Sequence, residues 1–472
     1  MKERSDIGVV GLGVMGSGIA RNLESKGYTV SVYNRSGDKT ASFLEQFGEG
    51  NFRGAQDLQE FCGQLEKPRK VLLMVKAGDA VDDAIQQLMP YLEAGDVILD
   101  GGNSHFKDTE RRCRAAEAAG LLYVGCGISG GEEGALHGPA IMPGGSEGAK
   151  ELVMPLLLDI CARTEVGEAC CSWMGNGGAG HFVKMVHNGI EYGEMQILCE
   201  IYHLMRSYLG MDTPMCGRTF ARWAKQAPGF LLETAAAVLL KADEDGSALV
   251  HHILDAAGQK GTGAWTVDAA MALGVPVPVI SEAVNARALS AAKEKRTALA
   301  EKYGREGYRG ETIGAEKRFE KLQMLQEALL TARICCYSQG FELLQAASDA
   351  YGWNWNLGEI AQIWRAGCII RSSLLEDIKK SYVFDRELST LLDSNIFHSK
   401  LISAGSSLAD ACIAAAQNGI PVPALSAALQ YFNGSTSRQL PANLLQGMRD
   451  LFGAHTYERT DAPRGEFFHT EW

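Results

Sequence analysis

The stretch Ile7–Gly8–Val9–Val10–Gly11–Leu12–Gly13–Val14–Met15–Gly16 decides the fold. An uncharged run leads into Gly11-x-Gly13-x-x-Gly16, and a helix-patterned segment, Ser17–Lys26, follows. A GxGxxG is weak by itself, but directly after a strand and before a helix it marks the first turn of a dinucleotide-binding βαβ unit. Its glycines permit the tight turn and let the backbone approach a pyrophosphate, whose charge faces the helix N-terminus. Gly11, Gly13, Val14, Met15 and Gly16 are therefore the predicted pyrophosphate contacts.

Further apolar runs bounded by Gly and charged residues recur at Thr29–Tyr33, Val71–Val75, Val97–Leu99 and Leu122–Val124. Runs apolar on both faces, separated by helical patterns, predict a doubly wound parallel sheet with helices on either side. The strand-rich pattern is expected to fade at the glycine-dense Gly175–Gly180, giving a Rossmann-like unit over 1–177. Beyond it the reading is all helical, over 178–440. Gly274–Val–Pro–Val–Pro–Val–Ile–Ser281 is echoed by Gly419–Ile–Pro–Val–Pro–Ala–Leu–Ser426, an offset of 145 residues that predicts two tandem helical units. Residues 441–472 form a tail ending in Phe467–Phe468–His469–Thr470–Glu471–Trp472. Apolar area of that kind is not left wet, so the tail is expected to pack on a neighbouring subunit.

The end of the second strand discriminates between cofactors. NAD-binding chains usually place Asp or Glu there for the ribose 2′-hydroxyl; this chain has Asn34–Arg35–Ser36. A carboxylate would repel a 2′-phosphate, whereas Arg35 offers a planar fork of donors and Asn34 and Ser36 add neutral ones. NADP is predicted over NAD. Val75–Lys76–Ala77 and Asp100–Gly101–Gly102–Asn103–Ser104 end later strands and are expected to flank the nicotinamide, with Asn103 facing cofactor or substrate.

In the segment Gly178–Tyr192, Lys184, His187, Asn188 and Glu191 stand at i, i+3, i+4 and i+7, one helical face. A solvated stripe with a Lys–Glu pair is the bland alternative. The stripe instead mixes a base, an acid and two hydrogen-bonding groups beside the mouth of the nucleotide unit. Oxidation of a hydroxy acid needs a base for the hydroxyl proton, and a lysine serves once burial lowers its pKa. A β-keto acid then loses carbon dioxide, and the enediol needs an acid, for which Glu191 is placed. Ser129–Gly130–Gly131 exposes backbone N–H groups to a carboxylate. Gln259–Lys260–Gly261–Thr262–Gly263 and Arg287 are suited to a phosphate. No set of metal ligands with recognisable spacing occurs, so a metal-free mechanism is expected.

Bulk properties agree. The 472 residues are 46% hydrophobic and 22% charged, a globular composition too long for one core. The net charge of −12 argues against nucleic acid or an anionic membrane as partner. No run approaches the roughly 20 apolar residues that cross a bilayer. Met1–Asp6 has no leader pattern, so a cytoplasmic protein is expected. The twelve scattered cysteines, two pairs of them adjacent, read as reduced core residues.

GLGVMG, NRS, MVKAG, DGGNS, SGGEEGA, MPGG, GAGHFVKMVHNGIEYGEMQ, GQKGTG, WRAGCIIRS and FGAHTYERTD together resemble the 6-phosphogluconate dehydrogenase family over nearly the whole chain. The resemblance implies an NADP-dependent, decarboxylating, cytoplasmic homodimer of the pentose phosphate pathway and of gluconate utilization. It implies Lys184 as general base for the C3 hydroxyl and Glu191 as the acid at C1 of the enediol. Asn103, His187 and Asn188 would contact sugar hydroxyls or nicotinamide, and Ser129, Gly130 and Gly131 the carboxylate. Tyr192, Lys260, Thr262 and Arg287 would bind phosphate, joined by Arg449 and His455 of the partner's tail. Three positions depart from the family pattern: Gly13, Leu136 and Ala264 stand where Ala, Arg and Lys are usual.

Two rivals are distinguishable. A non-decarboxylating β-hydroxyacid dehydrogenase would share the glycine loop and lysine, yet needs neither the second helical unit nor a phosphate cluster. A non-catalytic NADPH-binding protein would have no reason to keep both Lys184 and Glu191.

Overall fold

The computed structural model describes residues 3–305 and 314–472. The first two residues of the stretch inspected for a leader, Met1 and Lys2, lie outside them. Seven strands form one sheet: β1 Ile7–Val10, β2 Val30–Tyr33, β3 Phe52–Gly54, β4 Lys70–Leu73, β5 Val97–Asp100, β6 Leu122–Ser129 and β7 Ala140–Gly145. Their order is β3-β2-β1-β4-β5-β6-β7. All pair in parallel except the last, with Cys126 opposite Pro143 in the antiparallel β6–β7 pair.

The two strands that no apolar run announced are the edges. β3 has three residues, too few to display a period. β7 reads Ala–Ile–Met–Pro–Gly–Gly, and proline is confined to such edge positions because it donates no ladder hydrogen bond. The last strand accordingly ends at Gly145, thirty residues before the glycine stretch where the strand pattern was expected to fade. The first helix begins at Val14, inside the glycine loop, rather than at Ser17.

Among the described residues, the regular elements from Ala179 to Gly453 are all helices, and the tail beyond them holds the antiparallel bridge Tyr457–Phe468. The helices Thr262–Ala272 and Pro278–Ala291 have counterparts at Ser407–Gln417 and Pro423–Ser435, each beginning 145 residues later. The long helix Ala179–Ser207 corresponds in the same way to part of Ala315–Tyr351. The two units share one core. Glu200 on the first long helix accepts hydrogen bonds from the backbone of Ala424 and Leu425, both 2.9 Å, at the start of a helix in the second unit. The positions 145 after Lys184, His187, Asn188 and Glu191 are Leu329, Ala332, Arg333 and Cys336, all buried. The second long helix has therefore turned that face into core, and the chemical stripe occurs once per chain.

A seam of glycines seats the Ala179–Ser207 helix on the sheet. A Cβ on Gly127 of β6 would stand 2.5 Å from the Cβ of Lys184, and one on Gly180 would meet the carbonyl of Gly125 at 2.5 Å and that of Met142. Gly127→Ala is expected to push the helix off β6, costing about 1–3 kcal/mol of stability as overpacking does. It should also lower kcat, and equilibrium unfolding alongside steady-state assay measures both.

The cysteines are free, and ten of the twelve are buried. Among the described residues no helix is long and apolar enough to cross a membrane.

Candidate active site

Two clefts lie beyond the C-terminal ends of the strands, where ligands bind in open α/β sheets. The first, of about 430 Å³, is lined by Gly11, Gly13, Asn34, Arg35, Ser36, Val75 and Lys76, with Lys39 added. Asn34 does more than face it: its Oδ1 accepts the Leu12 N–H at 3.0 Å, and its Nδ2 donates to Ser36 Oγ at 2.9 Å. The glycine loop and the end of β2 are thus fixed to each other. Gly11 has φ +100°, and a Cβ there would strike the Met74 carbonyl at 2.5 Å. The space where a Gly13 Cβ would sit is open, beside the N-terminus of Val14–Ser25, as a pyrophosphate requires.

Arg35 and Lys39 are both exposed at this groove, and neither forms an ion pair among the described residues. Two unpaired cations at the end of β2 suit a 2′-phosphate. Lys39 escaped the sequence reading because it lies in the first turn of the next helix, Gly37–Phe47, five residues beyond Asn34. Arg35→Ala is expected to weaken NADP by about 1.5–3 kcal/mol, the size of a lost charge-assisted hydrogen bond, with little effect on NAD. Fluorescence titration with both cofactors checks the difference.

Five of the predicted cofactor contacts do not line this groove. Gly16 is buried under the loop, its Cβ space filled by the Gly11 carbonyl, and Val14 is exposed on the helix. Ala77 stands beyond Lys76 on the same turn. Met15 and Asn103 line the second cleft instead.

That second cleft, of about 630 Å³, gathers Lys184, Asn188, Glu191 and Tyr192 from one helix with Ser129, Gly130 and Gly131 from the end of β6. Lys260, Thr262 and Arg287 close it from the helical side, and Asn103 stands at its edge. The Arg287 guanidinium lies 3.4 Å from the Tyr192 ring centroid, a cation–π stack that holds its fork beside Lys260 and Thr262. A Cβ on Gly263 would run into that same tyrosine at 2.5 Å, so glycine allows the Lys260–Thr262 loop to approach. Ile369, inside the WRAGCIIRS segment of the second unit, also lines the cleft. That segment is among those that carry the family resemblance, but an isoleucine gives no chemical signal of its own.

His187 lies beneath the cleft rather than in its lining, fully buried. Lys184 Nζ donates to Asn188 Oδ1 at 2.7 Å and lies 3.3 Å from His187 Nδ1. His187 Nε2 lies 3.2 Å from Ser129 Oγ, and its Nδ1 also lies 3.1 Å from Asn188 Oδ1. The Ile369 N–H approaches Ser129 Oγ at 3.5 Å. Burial holds His187 well below its ordinary pKa, and the nearby Lys184 lowers it further, so it is neutral.

Burial lowers the pKa of the Lys184 ammonium, opposed by the nearby Glu191 carboxylate. Burial raises that of Glu191, opposed by Lys184 and Arg287. Its side chain keeps 22% exposure, and a carboxylate oxygen lies 3.8 Å from His187 Nδ1. Each group is thereby moved toward the form the chemistry needs: an amine able to take a proton and a carboxyl able to give one.

Arg449 and His455 line neither cleft of their own chain. They belong to the helix Ala442–Gly453 and the turn after it, where Asp450 pins the tail through His469 Nδ1 at 2.9 Å and Trp472 Nε1 at 3.0 Å.

Residues 6–175 match the NAD binding domain of 6-phosphogluconate dehydrogenase, and residues 180–472 match the C-terminal domain of 6-phosphogluconate dehydrogenase. The chain belongs to the 6-phosphogluconate dehydrogenase family. It is 48% identical to 6-phosphogluconate dehydrogenase, decarboxylating, of Treponema pallidum, over 99% of this chain and 97% of that protein. It is 47% identical to the NADP(+)-dependent, decarboxylating enzyme of Bacillus subtilis, over 100% of this chain and 99% of that one. The structure of Plasmodium falciparum 6-phosphogluconate dehydrogenase, described in apo form and in complex with its cofactor NADP+ and its substrate 6-phosphogluconate, superposes with a TM-score of 0.94. That similarity is at 39% identity and covers 99% of this chain and 100% of the other.

Proposed function

We propose that Lys184 and Glu191 carry out the two proton transfers of the family's reaction, the NADP-dependent oxidative decarboxylation of 6-phosphogluconate to ribulose 5-phosphate and carbon dioxide. One observation carries this reading. An amine and a carboxyl two turns apart on one helix open into the same cleft, between a carboxylate-sized nest and a cationic loop, beside the NADP groove.

Ser129, Gly130 and Gly131 hold the substrate carboxylate, and Tyr192, Lys260, Thr262 and Arg287 its phosphate. The sugar carbons then span Lys184 and Glu191. Lys184 takes the C3 hydroxyl proton, and bound NADP supplies the acceptor for the C3 hydride. The resulting 3-keto acid is β to the carboxylate, so the bond to C1 breaks and its electron pair passes into an enediolate, beside the ammonium that Lys184 has become. Glu191 delivers a proton to the former C2, now C1 of ribulose 5-phosphate. Neutral His187 holds Ser129 and Lys184 in register without adding a charge, and Asn188 orients the amine.

The same reading divides the chain into a nucleotide unit over 1–177, a helical unit over 178–440 and a tail over 441–472. The tail helix exposes Leu444, Leu445, Leu451 and Phe452, at 66%, 54%, 61% and 74%. A solvated monomer rarely keeps so much apolar surface together, which supports a homodimer in which Arg449 and His455 reach the neighbour's phosphate. A cytoplasmic place in the pentose phosphate pathway and in gluconate utilization follows from the same reading. Assay with 6-phosphogluconate and either NADP or NAD tests it: NADPH should form at once, and NADH far more slowly. No turnover with either cofactor would overturn it.

A further inference from the structure

We propose that Arg112 is a positioning residue that sets the register between cofactor and substrate. Arg112 lies on the helix Phe106–Ala118, and its side chain is 2% exposed. Its guanidinium uses the whole fork. Nε and Nη2 bind the two oxygens of Asp82 at 3.0 and 2.8 Å. Nη2 also donates to the Gly78 carbonyl at 3.0 Å, and Nη1 reaches Ser104 Oγ at 3.4 Å and the Asp100 carboxylate at 3.6 Å.

Asp82 lies in the helix Asp79–Leu88, and the other partners flank two different loops. Gly78 ends the turn after β4 that carries Val75 and Lys76, a wall of the cofactor groove. Asp100 and Ser104 bracket the turn after β5 that carries Asn103, at the edge of the substrate cleft. Asp100 extends the clamp: it accepts the Ser104 hydroxyl at 2.6 Å, the Gly102 N–H at 3.1 Å and the Tyr123 hydroxyl at 3.0 Å. One buried cation therefore fixes the spacing of the two loops between which C3 must meet the nicotinamide. The planar fork matters because the partners lie in several directions, and a lysine ammonium on a flexible stem cannot reproduce them.

The neighbouring Arg111 supplies an internal control. It binds the same Asp82 carboxylate at 2.9 Å, but its side chain is 57% exposed and, among the described residues, no hydrogen bond joins it to either loop.

This inference rests on the site reading above, and full-length Arg112→Lys, Asp82→Asn and Arg111→Met enzymes test it with protiated and C3-deuterated 6-phosphogluconate. A misplaced hydride acceptor lowers kcat per folded molecule on the order of 10- to 100-fold in the first two, with a deuterium effect at least as large as in the unaltered enzyme. Arg111→Met stays within about twofold, as an exposed ion pair predicts. Retained kcat with only a lower Tm assigns Arg112 to stability and overturns the proposal. So does a fall in kcat whose deuterium effect vanishes. If Arg112→Lys does not fold, Asp82→Asn decides alone. Failure here leaves Lys184→Met, which probes the site reading itself, unaffected.

Discussion

Lys184→Met should lower kcat by about 10²- to 10⁴-fold, the usual contribution of a positioned general base, while NADP binding is retained. The expectation rests on where the amine sits. It is buried on the helix that opens into the substrate cleft, 2.7 Å from Asn188 Oδ1 and outside the NADP groove. Methionine keeps most of the volume and the apolar stem, so the packing against Gly127 survives. Removal of the cation should also make Glu191 harder to ionise, because Lys184 holds that carboxyl's pKa down. Isothermal titration with NADP and a stopped assay for NADPH separate the two effects. Loss of NADP binding in step with turnover would mean that the variant is misfolded or that Lys184 belongs to the cofactor site.

Glu191→Gln should reduce kcat by about 10²- to 10⁴-fold on the same grounds and should change the pH profile in a way that identifies its role. Lys184 acts as a base only when deprotonated, so activity is lost as pH falls through its lowered pKa. Glu191 acts as an acid only when protonated, so activity is lost as pH rises through its raised pKa. The unaltered enzyme is then bell-shaped. In Glu191→Gln the alkaline limb disappears. The acid limb, set by Lys184, remains. An unchanged alkaline limb would assign that ionisation to another group.

Much of this architecture was legible because its causes are local. The glycine loop must follow a strand, cofactor choice turns on a single cation after β2, and an i, i+3, i+4, i+7 stripe has only one face to occupy. The proline-marked helix starts revealed the duplication because proline at a first turn is a chain-local device. What escaped notice depends on tertiary contact. β7 carries a proline that only an edge tolerates, and Lys39 meets Arg35 through a turn. Ile369 arrives at the cleft from the second helical unit, and His187 goes beneath the cleft because Ser129 of another element draws it there. Arg112 carries no sequence signal, because its partners Gly78, Asp82 and Ser104 meet it only in the folded chain.

The most direct measurement is the ratio of carbon dioxide to NADPH when the purified chain turns over 6-phosphogluconate. A base and an acid acting in sequence on one sugar skeleton predict equal amounts of the two. NADPH accumulating with almost no carbon dioxide would contradict the account, leaving Lys184 a dehydrogenase base and Glu191 without the proton transfer assigned to it.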